Sequence, residues 1–119
     1  LEGMERLQYI IDEAKKVDPL GDEHKTDENK IRGCISNLWV GGEVLADGTM
    51  EYYHDADSHM TKGTAKVILD MVNGEPKEEV AGLTIDSFKP LGIRELLTMQ
   101  RQVGFAGLIE RVVQIAKNK

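Results

Sequence analysis

The sequence predicts an α+β fold, a small antiparallel hairpin with α-helices packed on one face. Apolar residues recur at steps of three and four at both ends of the chain, the mark of amphipathic helices. The middle holds two short runs rich in aromatic and β-branched residues. An Asp-Gly pair separates those runs, a strong signal for a tight hairpin.

The first helix is expected over Leu1 to Val17, with Leu1, Met4, Leu7, Ile10, Ile11, Ala14 and Val17 on one stripe. Lys15 and Lys16 suit its C-terminal dipole, and Asp18-Pro19 stops it. Leu20 to Lys30 has six charged residues among eleven without periodicity, and reads as a surface loop. Strands are expected within Ile35–Leu45 and Met50–His54, joined by a two-residue turn in Ala46-Asp47-Gly48-Thr49. Gly41-Gly42 marks either a bulge or a close backbone approach. Asp57 reads as the N-cap of a helix carrying Met60, Ala65, Val67, Ile68, Met71 and Val72, with Gly74 and Pro76 as its stop. Two short helices are expected around Glu78 and Phe88. The last helix, Gln100 to Lys117, presents Val103, Leu108, Ile109, Val112, Ile115 and Ala116.

The 119 residues are one domain's worth, and residues 1–119 are taken as a single domain. Apolar residues at 40% and charged residues at 30% fit a soluble globular chain. Apolar runs reach only three residues, as in Leu38-Trp39-Val40, far short of the roughly 18 of a membrane span. With 15 basic against 21 acidic residues the net charge is −6. That balance argues against nucleic acid and anionic membrane as partners. One cysteine excludes an internal disulfide and a Cys-rich zinc site, and points to a reducing, cytoplasmic setting. No signal peptide is read in the chain, which starts at Leu1 rather than Met.

That cysteine, Cys34, is the candidate nucleophile. It follows Gly33 at the junction of the charged loop and the first strand, a place where functional groups concentrate. A free thiol is only a few per cent thiolate at neutral pH, and Arg32 and Lys30 raise that fraction slightly. The opposing reading is that Cys34 is a small buried hydrophobe. Trp39 reads as a core aromatic rather than an interface anchor. His24, His54 and His59 stand at no metal-ligand spacing with Cys34 or a carboxylate pair, so no metal is expected. There is no Gly-rich phosphate loop, nucleophile elbow or His-Glu-x-x-His pattern.

The run Glu28-Asn29-Lys30-Ile31-Arg32-Gly33-Cys34-Ile35-Ser36-Asn37-Leu38-Trp39-Val40 resembles the signature of the SufE family, sulfur acceptors of iron–sulfur cluster assembly. Three more stretches match in order: Leu7-Gln8-Tyr9-Ile10-Ile11, then Asp55-Ala56-Asp57-Ser58 with Lys62-Gly63, then Leu97 to Phe105 around Arg101. The resemblance covers nearly the whole chain. Ile35 and Asn37 replace the family's usual glutamines, Met99 a proline and Phe105 a leucine.

The resemblance implies a SufE/IscU-like fold and a covalent relay rather than an enzyme in its own right. A SufS-like, PLP-dependent cysteine desulfurase passes persulfide sulfur to Cys34, which hands it to a SufBCD-like scaffold. The PLP belongs to the partner, and no cofactor is expected on this chain. Gly33, Arg32, Ser36, Asp57 and Arg101 are the supporting or partner-binding candidates. Arg101 is also readable as a solvated helix-start arginine, Asp57 as a plain cap, and Lys62 and Gly63 as packing and solubility residues. Ile31, Ile35 and Leu38 are expected to shelter the thiol when idle, with Gly33 giving the freedom to expose it. Two other readings remain: a cluster scaffold, against which a single thiolate ligand argues, and a non-covalent adaptor with an inert Cys34.

Overall fold

A computed structural model describes residues 3–31, 36–91 and 104–119. Its elements are α1 (Gly3–Ala14), β1 (Leu38–Val44), β2 (Met50–Ala56), α2 (His59–Asp70), α3 (Lys77–Ala81) and α4 (Phe105–Asn118). Short 3-10 turns lie at Asp22–His24 and Ile85–Leu91. The architecture is α+β, as the patterning predicts.

β1 and β2 form an antiparallel pair in unbroken register from Leu38↔Ala56 to Val44↔Met50. Alternation puts Leu38 and Val40 of β1 with Met50, Tyr52 and Ala56 of β2 on one buried face. Ala65, Ile68 and Leu69 of α2 and Leu108, Val112 and Ala116 of α4 pack on it. Full burial of the Val, Leu, Ile and Met side chains among these contributes about 1.5–3 kcal/mol each. The Tyr52 hydroxyl donates to the Val112 carbonyl at 2.7 Å, so the one polar atom of that ring is satisfied inside the core. Phe88 meets Phe105 edge to face at 5.5 Å, which brings the second 3-10 turn onto α4.

The hairpin turn is longer than the Asp-Gly pair predicts. Leu45 N–H donates to Thr49 O, and Gly48 N–H donates to Leu45 O, leaving Ala46-Asp47-Gly48 as a three-residue loop. Gly48 has φ +87°, the left-handed position such a loop ends on. Asp47 fixes it by accepting from the backbone and hydroxyl of Thr49 at 3.0 and 2.6 Å. Gly41 and Gly42 make no bulge. A Cβ on Gly41 would sit 2.5 Å from the Tyr53 ring, and one on Gly42 would sit 2.7 Å from the Tyr52 ring. Both glycines are therefore close-approach positions under cross-strand tyrosines.

Three further expectations change. α1 ends at Ala14, and Lys16 reaches back to Glu13 at 2.6 Å instead of extending the helix. α2 is capped by Ser58, whose hydroxyl accepts from Thr61 N–H, and not by Asp57. Leu20–Lys30 is exposed along much of its length but is not a free surface loop. Leu20 N–H donates to Asp55, and Lys30 bridges antiparallel to Trp39, so the segment lies along β1.

Helices α1 and α2 pack closely, with Gly63 at their contact. A Cβ built there would lie 2.1 Å from the backbone carbonyl oxygen of Ile10. Backbone cannot swing aside as a side-chain tip can, so the glycine sets the helix separation. Gly63→Ala is expected to destabilise by about 1–3 kcal/mol despite its better helix propensity. Gly82→Ala, where the nearest atom is 3.7 Å away, should stay within about 0.5 kcal/mol. Urea titration of both variants separates a steric effect from a propensity effect.

Candidate functional site

The site is built around the two chain segments that flank residues 32–35. The incoming segment pairs with the start of β1: Ile31 N–H donates to Leu38 O, and Val40 N–H to Asn29 O, both at 2.8 Å. The outgoing segment is tied to the start of α2. Ser36 Oγ donates to Thr61 Oγ1 at 2.8 Å, and Asn37 Nδ2 donates to Asp57 Oδ2 at 2.6 Å. Asp57 N–H returns a bond to Asn37 O at 3.1 Å. Ile31 and Leu38 are buried on either side, with 4% and 0% exposure. The two flanks thus form a stem held by backbone pairing on one side and side-chain bonds on the other.

Below the stem sits Asp55, opposite Trp39 in the register and buried. Its carboxylate accepts from Ala56 N–H at 2.8 Å and Leu20 N–H at 3.1 Å. Lys62 Nζ of α2 lies 2.9 Å away and Lys25 Nζ of the polar segment 3.4 Å away. Burial alone would push this acid up, but the Lys62 bond and the two backbone N–H groups outweigh it. They hold its pKa at about 2. Lys25 also stands over the Trp39 ring, 5.3 Å from its centroid. Trp39 is accordingly half-buried on the outer sheet face and stands outside the core cluster, contrary to the expectation. Lys62 is an ion-pair partner rather than a solubility residue.

His54, next along β2, is buried and its pKa is lowered by that burial. Its Nε2 lies 3.0 Å from the Lys62 carbonyl, which can only accept, so that nitrogen carries a proton, while burial favours the neutral ring. Among the described residues, no group of three or more His, Cys, Asp or Glu side chains is placed to hold a metal.

Asn29 ties the stem to the last helix. Its Oδ1 accepts from Arg111 Nη2 at 2.6 Å, and its Nδ2 donates to His24 O at 2.8 Å. Arg111 Nε also reaches Val40 O at 3.4 Å. Of the residues singled out in the sequence, the structure brings Ser36 and Asp57 to the stem. Arg32, Gly33, Cys34, Ile35 and Arg101 lie outside the described residues. Asn29 and Asp55 stand in stretches matched to the family but had no role read for them, and Lys25 and Arg111 escaped the sequence reading. A carboxylate inside a strand is disfavoured, and that was a legible signal for Asp55. Asn29 and Arg111 are 82 positions apart, and no local pattern joins them.

A match to the SufE family, described as an Fe-S metabolism associated domain, covers residues 1–116. The chain belongs to the SufE family. It is 31% identical over 117 residues to an uncharacterised SufE-like protein of Rhizobium etli, covering 95% of this chain and 79% of that one. It is 28% identical over 114 residues to the sulfur acceptor protein CsdE of Escherichia coli, covering 95% and 78%. It is 30% identical to the chloroplastic/mitochondrial SufE-like protein 1 of Arabidopsis thaliana, matching 88% of this chain and only 28% of that protein. A solution structure of a hypothetical protein from Thermus thermophilus shares the fold of this SufE chain. Its TM-score is 0.65 at 19% identity, covering 99% of this chain and 86% of the other. No helix among the described residues is long and apolar enough to cross a membrane.

The Asp55 cluster makes the stability of this SufE chain pH-dependent in a defined direction. An acid at about 2 when folded and near 4 when unfolded stabilises fully above pH 4, and that contribution is lost as pH falls toward 2. The difference corresponds to roughly 2 kcal/mol. His54 acts at higher pH: the unfolded imidazole gains its proton below about 6.5 while the buried one resists, so stability already declines from pH 7 toward 5. Urea midpoints at pH 7, 5 and 3 should fall in that order. Asp55→Asn should lower the pH 7 value and flatten the pH 5 to 3 step. A step of unchanged size in the variant would mean that another acid carries the acid limb.

Proposed function

We propose that this chain is a sulfur acceptor that takes persulfide sulfur from a PLP-dependent cysteine desulfurase onto Cys34. The observation that carries the reading is the position of the chain's one cysteine. It lies in a Gly-Cys sequence directly between Ile31 and Ser36, the two ends of a stem pinned to β1 and α2. Family membership and the likeness to the sulfur acceptor CsdE support it.

The step is a thiolate–disulfide-like exchange. The Cys34 thiolate attacks the outer sulfur of the donor's persulfide. The bond between that sulfur and the donor cysteine breaks, and the donor leaves as a thiolate. Sulfane sulfur is transferred with its oxidation level unchanged, so no external oxidant or reductant is consumed. A persulfide formed on Cys34 is then attacked by the next acceptor, a scaffold of the iron–sulfur assembly machinery, for which sulfur is cargo. The chain acts as a relay working with an enzyme, in a reducing compartment such as the cytoplasm. Arg32, Gly33 and Arg101 are the further partner-contact candidates.

Intact-mass analysis after incubation with a cysteine desulfurase and cysteine tests this. The expected outcome is a reductant-sensitive gain of one or more sulfur atoms that maps to Cys34 and disappears in Cys34→Ser, while desulfurase binding persists. No gain, with desulfurase stimulation surviving in Cys34→Ser, would instead identify a non-covalent adaptor. Docking should also change amide hydrogen exchange across Arg32–Ser36, and an unchanged pattern would exclude exposure of this segment on demand.

A further inference from the structure

A polar cavity of about 300 Å³ lies where residues 23–29, the Gly41–Gly42 stretch of β1, Tyr53 of β2 and helix α4 meet. Its size is at the lower end of cavities that bind small molecules, about 300–1,000 Å³. Its walls are fixed by bonds that do not fill it. Asn29 Nδ2 donates to His24 O, and Asn29 N–H donates to Thr26 Oγ1 at 3.3 Å. The Tyr53 ring lies over Gly41 and packs at 65° to His24, with centroids 4.8 Å apart.

The charges around this cavity are unusual in their arrangement. Arg111 is half-buried, and its bonds run to neutral acceptors, Asn29 Oδ1 and Val40 O. No carboxylate pairs with it among the described residues. The rest of its fork of N–H donors is left for an anion, and a planar guanidinium matches a carboxylate in two bonds. Lys119, exposed, also borders the cavity. Glu23 and Glu28, both exposed, line the same cavity. They repel a multiply charged anion such as phosphate and attract an ammonium group.

We propose that this cavity binds a free α-amino acid as its zwitterion. The carboxylate sits on Arg111, the ammonium group is held by Glu23 and Glu28, and the side chain lies against the Tyr53 ring. Walls that are already ordered lower the entropic cost of holding so small a ligand. The proposal does not depend on the sulfur-acceptor reading, because no atom of Cys34 takes part.

Titration of the isotope-labelled full chain by NMR tests it, with L-alanine as probe because it carries no thiol. Sodium acetate and methylammonium chloride at matched ionic strength supply each charge alone. L-Alanine should give saturable shifts at residues 23–29, 41–42, 53 and 111–118, with a dissociation constant on the order of 1 mM. Both single-charge probes should bind at least about tenfold more weakly, since each reaches only one end of the site. Arg111→Lys keeps the charge but loses the fork and should weaken L-alanine about tenfold. The double variant Glu23→Gln, Glu28→Gln changes only exposed side chains, leaves the melting temperature unchanged and should weaken it several-fold. Acetate binding as well as L-alanine, shifts centred elsewhere, or full affinity in the double glutamine variant would each overturn the proposal.

Discussion

Asp55 is a carboxylate taken out of water, and charge at that position is sustained only because four donors converge on it. Two are backbone N–H groups, from Leu20 and from its own neighbour Ala56. Two are lysines from other elements, Lys62 on the following helix α2 and Lys25 on the polar segment. Buried charge without partners costs far more than such pairing returns, so all four must be present together. The consequence is geometric. The polar segment, β2 and the first turns of α2 are fixed relative to one another, and both flanks of residues 32–35 are built from those parts. His54 adds to the same junction by bonding the carbonyl of Lys62, the residue whose ammonium serves Asp55.

The elements themselves were largely legible because their periodicity is local. The α4 stripe of Leu108, Ile109, Val112, Ile115 and Ala116 is buried as its spacing predicts. What the sequence concealed was the use of polar residues in tertiary contacts. Asp57 stands where a cap belongs, yet Ser58 one position later caps the helix, which frees Asp57 to bond Asn37. Either residue type satisfies a helix N-terminus, so composition could not choose between them. Trp39 reads as core by residue type. It faces the outer side of a two-stranded sheet, where Lys25 covers it, a residue whose apolar stem and charged head suit that role. The family was legible in the sequence, but the Asp55 and Asn29 junctions beside the flanks of residues 32–35 depend on partners up to 82 positions away.

Glycines explain how so thin a sheet is covered. Gly41 and Gly42 remove two Cβ atoms from β1, and Tyr53 and Tyr52 of β2 lie across the vacated positions. Tyr52 thereby reaches Val112 on α4, and Tyr53 reaches His24 on the polar segment. One strand's missing side chains thus let its partner strand bind both layers. Gly63 does the same between helices by letting α1 approach α2 at Ile10. These are positions where size is constrained by contact with backbone or ring, so they tolerate a methyl group less than solvent-facing glycines do.

The engaged state of the titratable groups at the stem bears on how a thiol here would be activated. Asp55 holds two lysines, Asp57 holds Asn37, and the neutral His54 ring is committed to a carbonyl. These bonds tie all three side chains to β2, α2 and the outgoing flank of residues 32–35. They act as positioning residues for the segments that flank residues 32–35. A thiol of ordinary acidity is a few per cent thiolate at neutral pH, and a nearby cation raises that fraction by stabilising the anion rather than by accepting its proton. Under the sulfur-acceptor reading, such a cation comes either from the 32–35 segment, which carries Arg32, or from the docked desulfurase. A carrier whose thiol is fully activated only in the complex reacts little when alone, which suits a group that must not lose sulfur to stray thiols.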